Sequence, residues 1–373
     1  MFTLEQPRKI VFRNGCLADL GPETAALGRR ALIVCGARAM AGTGILPRAQ
    51  AALQAAGLAA VVYDRVAHDP SYEVIEDAAA TARREGCDTV IGLGGGSSMD
   101  AAKAAALLAT NPWPVRDFAA KKRSFDRPGL PFLAVPTTAG SGAEVTRNAV
   151  LTDAAAGEKK SLRGAGMGAV VALVDPELTL SMPPSLTAET GMDALTQAIE
   201  AYLCKDAHAV SDALAQQGVR CLFPHLERAY VAGGELRWRE PVMLGSLLAG
   251  MAFSNAALGA VHGLAHPLGC RLGLPHGFLC AVLLPHVLEF NRPACEARFA
   301  DLAGAMGLCS GAAVADAVRA LNGRLGLPAT LAGHGLTAAH FPVIVAQCRS
   351  RSMEMNPRAM SDDDVTALLQ RLL

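Results

Sequence analysis

The string DTVIGLGGGSSMDAAKAAALLAT, Asp88–Thr110, decides the fold. Its opening is apolar and β-branched, which reads as a buried strand, and MDAAKAAALLAT carries helical Ala/Leu content. Between them GGGSSMD, Gly94–Asp100, makes a glycine turn at the helix start. Glycines there let backbone N–H groups approach a phosphate closely, and a helix N-terminus favours negative charge. The pattern is not G-x-G-x-x-G, so taken alone it also reads as a plain tight turn.

The same strand–helix grammar runs outward on both sides. ALIVCG (31–36), AAVVYD (59–64) and PFLAVPTT (131–138) read as strands, and AQAALQAAGL (49–58) and VIEDAAATARREG (74–86) as helices. Alternation with near-continuous apolar strands predicts a mostly parallel sheet covered on both faces. A second small-residue turn, PTTAGSGAEVT (136–146), follows the last of these strands. Two such turns at strand ends fit one nucleotide lying across the carboxyl edge of the sheet. In the turn after the first strand, CGARAM, Gly36 and Arg38 stand where an acid would bond an adenosine ribose. An arginine suits a 2′-phosphate, so NADP is favoured over NAD; the bland reading is a solvated Arg38.

The character changes at DPELTLSMPP, Asp175–Pro184, beyond which Ala/Leu helical periodicity dominates. The boundary is set at 183: a nucleotide-binding α/β domain over 1–183 and a helical domain over 184–373. In the second, Thr187 reads as an N-cap, and 206–230, 241–258 and 312–325 read as helices. Charge is balanced, 34 basic against 34 acidic residues, and aromatics are few. That excludes an electrostatic footprint for nucleic acid or an acidic membrane. Ten scattered cysteines without C-x-x-C, and no charged-then-apolar leader, predict reduced thiols in a cytoplasmic protein.

Three of the nine histidines lie in VHGLAHPLGCRLGLPH (261–276): His262, His266 and His276. Upstream, TGMDALTQAIEAY carries Asp193 and Gln197. Each four-residue spacing places two side chains on one helix face. A lone histidine is usually structural; a four-apart pair with a third ten residues on reads as a metal pocket.

At these residues the chain resembles the iron-containing (group III) alcohol dehydrogenase family. GGGSSMDAAKA, PTTAGSGAEVTRNAVLTD, VDPELTLSMPPSLTAETGMDALTQAIEAY and GAVHGLAHPLG-x5-PHG match it in order and spacing, over nearly the whole chain. The resemblance implies a Rossmann-like nucleotide domain followed by an all-helical domain, as in dehydroquinate synthase, with NAD(P) and a divalent metal (Fe or Zn) in the cleft. It implies that Gly95, Gly96 and Ser97 hold the pyrophosphate, with Asp100 bracing that loop. Thr137 and Thr138 would face adenine and ribose. Lys160 would lie near the nicotinamide ribose, with Lys159 as an equal candidate. Asp193, His262 and His276 occupy metal-ligand positions, His266 stands beside nicotinamide and substrate, and Asn148 and Phe253 line the substrate entry. A homodimer or larger homo-oligomer is implied as well.

One ligand departs. The family has a histidine where this chain has Gln197. An amide oxygen is neutral, hard and a weaker donor to Fe²⁺ or Zn²⁺ than imidazole. The substitution leaves three readings open: weak metal, a harder ion such as Mn²⁺ or Mg²⁺, or no metal. With metal, the expected reaction is reversible hydride transfer between an alcohol and an aldehyde or ketone, assisted by a Lewis acid. Without it, a histidine would act as general acid on an activated carbonyl, as in maleylacetate reductases. A lyase-type relative of dehydroquinate synthase and an inactive nucleotide binder are the other classes. The first needs a phosphate-gripping basic cluster, and only Arg271 lies inside the histidine stretch.

Overall fold

A computed structural model describes residues 2–36, 42–153, 158–164 and 166–373. Arg38, the residue expected to read the 2′ position, lies outside them. The chain divides into two compact units: Glu5–Ser181, and Met182–Leu373 joined by the N-terminal residues up to Leu4. Phe2 stacks on His208 in the second unit, ring centroids 4.0 Å apart.

The first unit carries a six-stranded parallel sheet. Its strands are β1 (Lys9–Phe12), β2 (Arg30–Val34), β3 (Ala59–Tyr63), β4 (Thr89–Gly94), β5 (Phe132–Pro136) and β8 (Val171–Val174), in the order β1-β8-β5-β4-β2-β3. Central strands β4, β5 and β8 are buried at every position, and the edge strands β1 and β3 are not. This is why the central strands read as unbroken apolar runs rather than alternating ones. Helices α1 (Leu20–Ala25), α2 (Ile45–Ala55), α3 (Tyr72–Arg84), α4 (Gly96–Thr110) and α5 (Val115–Ala119) belong to this unit. From β2 the chain crosses to β3 at one edge, then returns to β4 on the other side of β2. The carboxyl ends of β2 and β4 therefore flank a topological switch point, the usual ligand crevice of an open parallel sheet. Gly36 follows β2, and Gly94 ends β4.

A two-stranded antiparallel hairpin, β6 (Asn148–Asp153) with β7 (Glu158–Arg163), was not foreseen. The four-residue β1 and β8 were not foreseen either. NAVLTD and EKKSLR are short and mixed in polarity, so periodicity does not reveal them.

The second unit is helical among the described residues. Its central helix α6 (Pro184–Leu203) is buried at every residue from Gly191 to Leu203. Around it pack α7 (Ala209–Leu222), α8 (Leu226–Val231), α9 (Leu236–Asn255) and α11 (His276–Asn291), while α10 (Ala260–Leu272) lies against α11. Burying one Leu, Val or Met in such surroundings contributes about 1.5–3 kcal/mol. No single described helix is long and apolar enough to cross a membrane.

Three helix readings need correction. Thr187 is not the N-cap of α6: the helix begins at Pro184, whose fixed φ suits a first helical position. Thr187 instead bonds back to Pro183 O at 3.0 Å and accepts from Arg239 Nη1 at 2.7 Å. The single helix expected over 206–230 is two, broken around Pro224, since proline cannot bond the carbonyl four residues back. Helix α9 starts at Leu236, so Pro241 lies inside it. Arg239 anchors that first turn through Gly233 O at 2.7 Å and Met182 O at 3.0 Å.

Candidate functional site

In the first unit the two glycine turns meet. Gly94 has φ 144°, a conformation that side chains rarely adopt, and its carbonyl accepts Thr137 N at 2.9 Å. A Cβ on Gly96 would stand 2.8 Å from Ser141 Oγ, and one on Gly95 would stand 3.3 Å from the Thr138 side chain. Close approach of the turns thus accounts for two of the glycines. Helix α4 starts with no side-chain cap at Gly95, which leaves its first N–H groups for an anion.

The residues around these turns are tied together by Asp69, which sequence reasoning missed. Its backbone N–H donates to Ser97 Oγ at 3.2 Å, and its carboxylate takes Lys159 Nζ at 2.8 Å. Burial would raise the Asp69 carboxyl, but His68 and Lys159 outweigh burial and hold it well below its ordinary value. Lys159 and Lys160 are neighbours on β7 and so point to opposite faces; Lys159 is the one bound to Asp69. Asp100 Oδ2 accepts Val150 N at 3.0 Å, which joins α4 to β6. Lys103 is fully buried, with Nζ 2.7 Å from Thr146 Oγ1 and 3.1 Å from Asn148 O. Asn148 turns its amide to Ser161 Oγ at 3.3 Å. Its neighbour Arg147 is exposed and ion-paired with Glu5.

In the second unit three helices bring the metal candidates together. Asp193 and Gln197 lie one turn apart on α6, His262 and His266 one turn apart on α10, and His276 opens α11 after Pro275. Asp193 Oδ1 stands 3.5 Å from His262 Nε2 and 3.7 Å from His276 Nε2. Asp193 Oδ1, Gln197 Oε1 and His262 Nε2 are buried with no hydrogen-bond partner. One buried polar atom without a partner costs about 1–3 kcal/mol, and here three of them lie on α6 and α10, with Asp193 Oδ1 and His262 Nε2 facing each other. The His276 ring lies 5.2 Å from His262 and 5.1 Å from His266, centroid to centroid. His266 is partly exposed and does not belong to the converging group. Phe253 is half-buried near the end of α9.

Two further residues complete this place. Glu200 is buried, its Oε2 2.6 Å from His262 Nδ1 and its Oε1 accepting Val261 N at 2.7 Å. It therefore fixes the His262 ring and caps α10, whose N-cap Gly259 has no side chain to do so. Glu200 lies seven residues after Asp193, two turns along the same helix face, a spacing that was available in the sequence. Cys280 is fully buried one turn after His276, with Sγ 3.6 Å from His276 Nε2. Its ligand atom lies within 4.8 Å of those of Asp193, His262 and His276.

The electrostatics follow. Burial alone would lower the His262 pKa, but Glu200 and Asp193 outweigh it and carry it up to about 9. Burial would raise Asp193, yet the facing His262 and His276 rings hold it below the ordinary carboxylate range. Helix α11 comes this close to α6 because residue 277 is glycine: a Cβ there would stand 2.2 Å from Glu189 O and 3.4 Å from Asp193 Cβ. None of the ten cysteines is disulfide-bonded.

Comparison with known proteins agrees with this architecture. The 1,3-propanediol dehydrogenase of Klebsiella pneumoniae is 36% identical, over 100% of this chain and 98% of its own. A crystal structure of a 1,3-propanediol oxidoreductase superposes with a TM-score of 0.96 at 34% identity, covering 100% of both chains. The sulfoacetaldehyde reductase of Bifidobacterium kashiwanohense, solved in complex with NAD+, gives 0.94 at 30% identity, over 100% of this chain and 98% of that one. The family profile described as iron-containing alcohol dehydrogenase matches residues 7–176, and that of the C-terminal part of the same family matches 187–373. The protein is thus an alcohol dehydrogenase or aldehyde reductase by class, and it belongs to the iron-containing alcohol dehydrogenase family.

Proposed function

We propose that the protein interconverts an alcohol and its aldehyde or ketone by hydride exchange with a nicotinamide dinucleotide, and that Asp193, His262 and His276 hold a divalent metal ion, iron or zinc. The observation that carries the metal is the group of buried, unpartnered atoms: Asp193 Oδ1, His262 Nε2 and Gln197 Oε1. A carboxylate and two imidazoles are an ordinary donor set for such an ion, and the residues present fit it. When bound, a divalent ion supplies Lewis acidity toward a carbonyl oxygen.

The chain's own groups do the rest. Glu200 accepts a hydrogen bond from His262 Nδ1–H, and in the neutral ring this leaves the Nε2 lone pair on the side of Asp193. His266 is partly exposed beside His276 and is assigned the exchange of the substrate's hydroxyl proton with solvent. The uncapped start of α4 receives the dinucleotide pyrophosphate at Gly95, Gly96 and Ser97. Thr137, Thr138 and Lys160 are assigned to the same cofactor. The absence of an acid in CGARAM, with Arg38 in its place, supports NADP over NAD. The names of the relatives, acting on 1,3-propanediol and sulfoacetaldehyde, support a small polar substrate. A cytoplasmic homo-oligomer belongs to the same reading.

The test is metal analysis of protein purified without chelators, beside a Gln197→His variant, with NADH and NADPH oxidation followed over neutral and acid-bearing aldehydes. The expected wild type holds a divalent ion and loses turnover when it is removed. A wild type that holds none at any added concentration, while Gln197→His binds tightly, refutes the metal. Carbonyl reduction persisting in that metal-free wild type would select the metal-independent reductase instead.

A further inference from the structure

We infer that Cys280 supplies a further protein ligand of the metal ion beside Asp193, His262 and His276, and that this sulfur directs the site away from hard ions such as Mg²⁺ and Mn²⁺. The inference rests on the metal reading above and specifies its ligand set.

A tetrahedral zinc ion has bond lengths of about 2.0–2.2 Å to nitrogen or oxygen and about 2.3 Å to sulfur, so its N···O edges are about 3.4 Å and its N···S edges about 3.6 Å. The edges here are 3.5 and 3.7 Å from Asp193 Oδ1 to the two histidine nitrogens, and 3.6 Å from His276 Nε2 to Cys280 Sγ. All four atoms lie within 4.8 Å of one another. Three of the six edges thus stand at ligand spacing before any ion is added, and the other three lie within 4.8 Å.

Gln197 offers a neutral, hard amide oxygen, whereas a cysteine offers a thiolate, the donor that zinc takes readily and that Mg²⁺ and Mn²⁺ do not. Cys280 has no exposure, so it is not placed for reaction with solvent oxidants. On binding, the S–H bond breaks, the S–metal bond forms and one proton leaves to solvent. Position 280 repeats the spacing of the other pairs: it lies four residues after His276 as Gln197 lies four after Asp193. The donor lost at one i+4 position is regained at another.

The test uses the full-length protein, stripped of metal and refilled with Co²⁺, which reports its ligands by absorption. The wild type is expected to show cobalt d–d bands together with a sulfur-to-cobalt charge-transfer band in the near ultraviolet. Cys280→Ser is expected to lose the charge-transfer band, keep d–d absorption, and bind Zn²⁺ at least ~10-fold more weakly by chelator competition. Gln197→Ala is expected to keep the band. Cys280→Ala and thermal melting of each stripped variant separate ligand loss from misfolding. Cobalt d–d absorption without a charge-transfer band in wild type, or a band that survives Cys280→Ser, overturns the inference while leaving the metal reading intact. If the wild type binds neither Co²⁺ nor Zn²⁺, both fail together.

Discussion

Glu200→Gln is the substitution whose outcome the structure fixes most tightly. Glu200 uses both carboxylate oxygens as acceptors, from His262 Nδ1 at 2.6 Å and from Val261 N at 2.7 Å, in a buried place. Glutamine has one acceptor oxygen and one NH2. If its oxygen faces Val261, the NH2 meets His262 Nδ1, which must become an acceptor and move its proton to Nε2. That proton occupies the lone pair on the side of Asp193. If the oxygen faces His262, the NH2 meets the Val261 N–H and two donors are left buried without acceptors, at about 1–3 kcal/mol each. The first arrangement destabilises the metal-ligating tautomer of His262, and the second keeps it only at the cost of two buried donors without acceptors. Loss of such a supporting carboxylate weakens metal binding by about 10–100-fold, or about 1.4–2.7 kcal/mol.

A second readout needs no metal. In the stripped protein His262 titrates at about 9, against an ordinary value of 6.5. A histidine whose folded pKa is raised stabilises the fold fully below about pH 6.5, and that contribution is lost as pH rises through about 9. It amounts to at most about 3 kcal/mol. Denaturant unfolding of the stripped wild type should therefore show stability falling between pH 6.5 and 9, and Glu200→Gln should flatten the fall. Chelator competition with Zn²⁺ measures the affinity. Unchanged zinc affinity in a folded Glu200→Gln protein refutes the reasoning, because it would mean that His262 is not held by Glu200 or is not a ligand.

Two further outcomes follow from the same structure, and a third from the sequence. Gly277→Ala places a methyl 2.2 Å from Glu189 O; it should cost about 1–3 kcal/mol by overpacking and weaken zinc binding by moving His276 away from Asp193, and a variant with wild-type melting and affinity would show that the approach of α11 to α6 is not limiting. Lys103 is held down to about 8 by burial against an ordinary 10.5, so its protonated form is destabilised in the fold and its contribution to stability rises as pH climbs from about 8 to 10.5; Lys103→Met should remove that rise, measured by unfolding at both pH values, and a slope equal to wild type contradicts the assignment. Arg38→Ala should raise KM for NADPH at least ~10-fold and leave KM for NADH nearly unchanged, as expected for loss of a charge-assisted phosphate contact; equal effects on both cofactors remove Arg38 from 2′-phosphate recognition.

The legible part of the molecule was local or periodic. Apolar runs gave the central strands, because strands buried on both faces need no polar alternation. The spacings Asp193/Gln197 and His262/His266 gave helix faces, because the helical period is short. What escaped depended on contacts across the chain. Thr187 looked like a cap, but the helix opens at Pro184 and the Thr187 hydroxyl is taken by Arg239 from a distant helix. The β6–β7 hairpin has no strong pattern of its own, and the placement of Asp69 against both Ser97 and Lys159 joins segments far apart in sequence.

By itself the sequence determined an α/β half followed by a helical half, two glycine turns at strand ends, and a histidine group beside an altered ligand position. Residue chemistry and period suffice for that. Tertiary structure decided which side chains share one volume: Glu200 behind His262, Gly277 letting α11 reach α6, and Cys280 at ligand distance where Gln197 offers only an amide. The physical reason is that a coordination site is defined by distances of a few ångströms between separate helices, and those distances are set by how the helices pack.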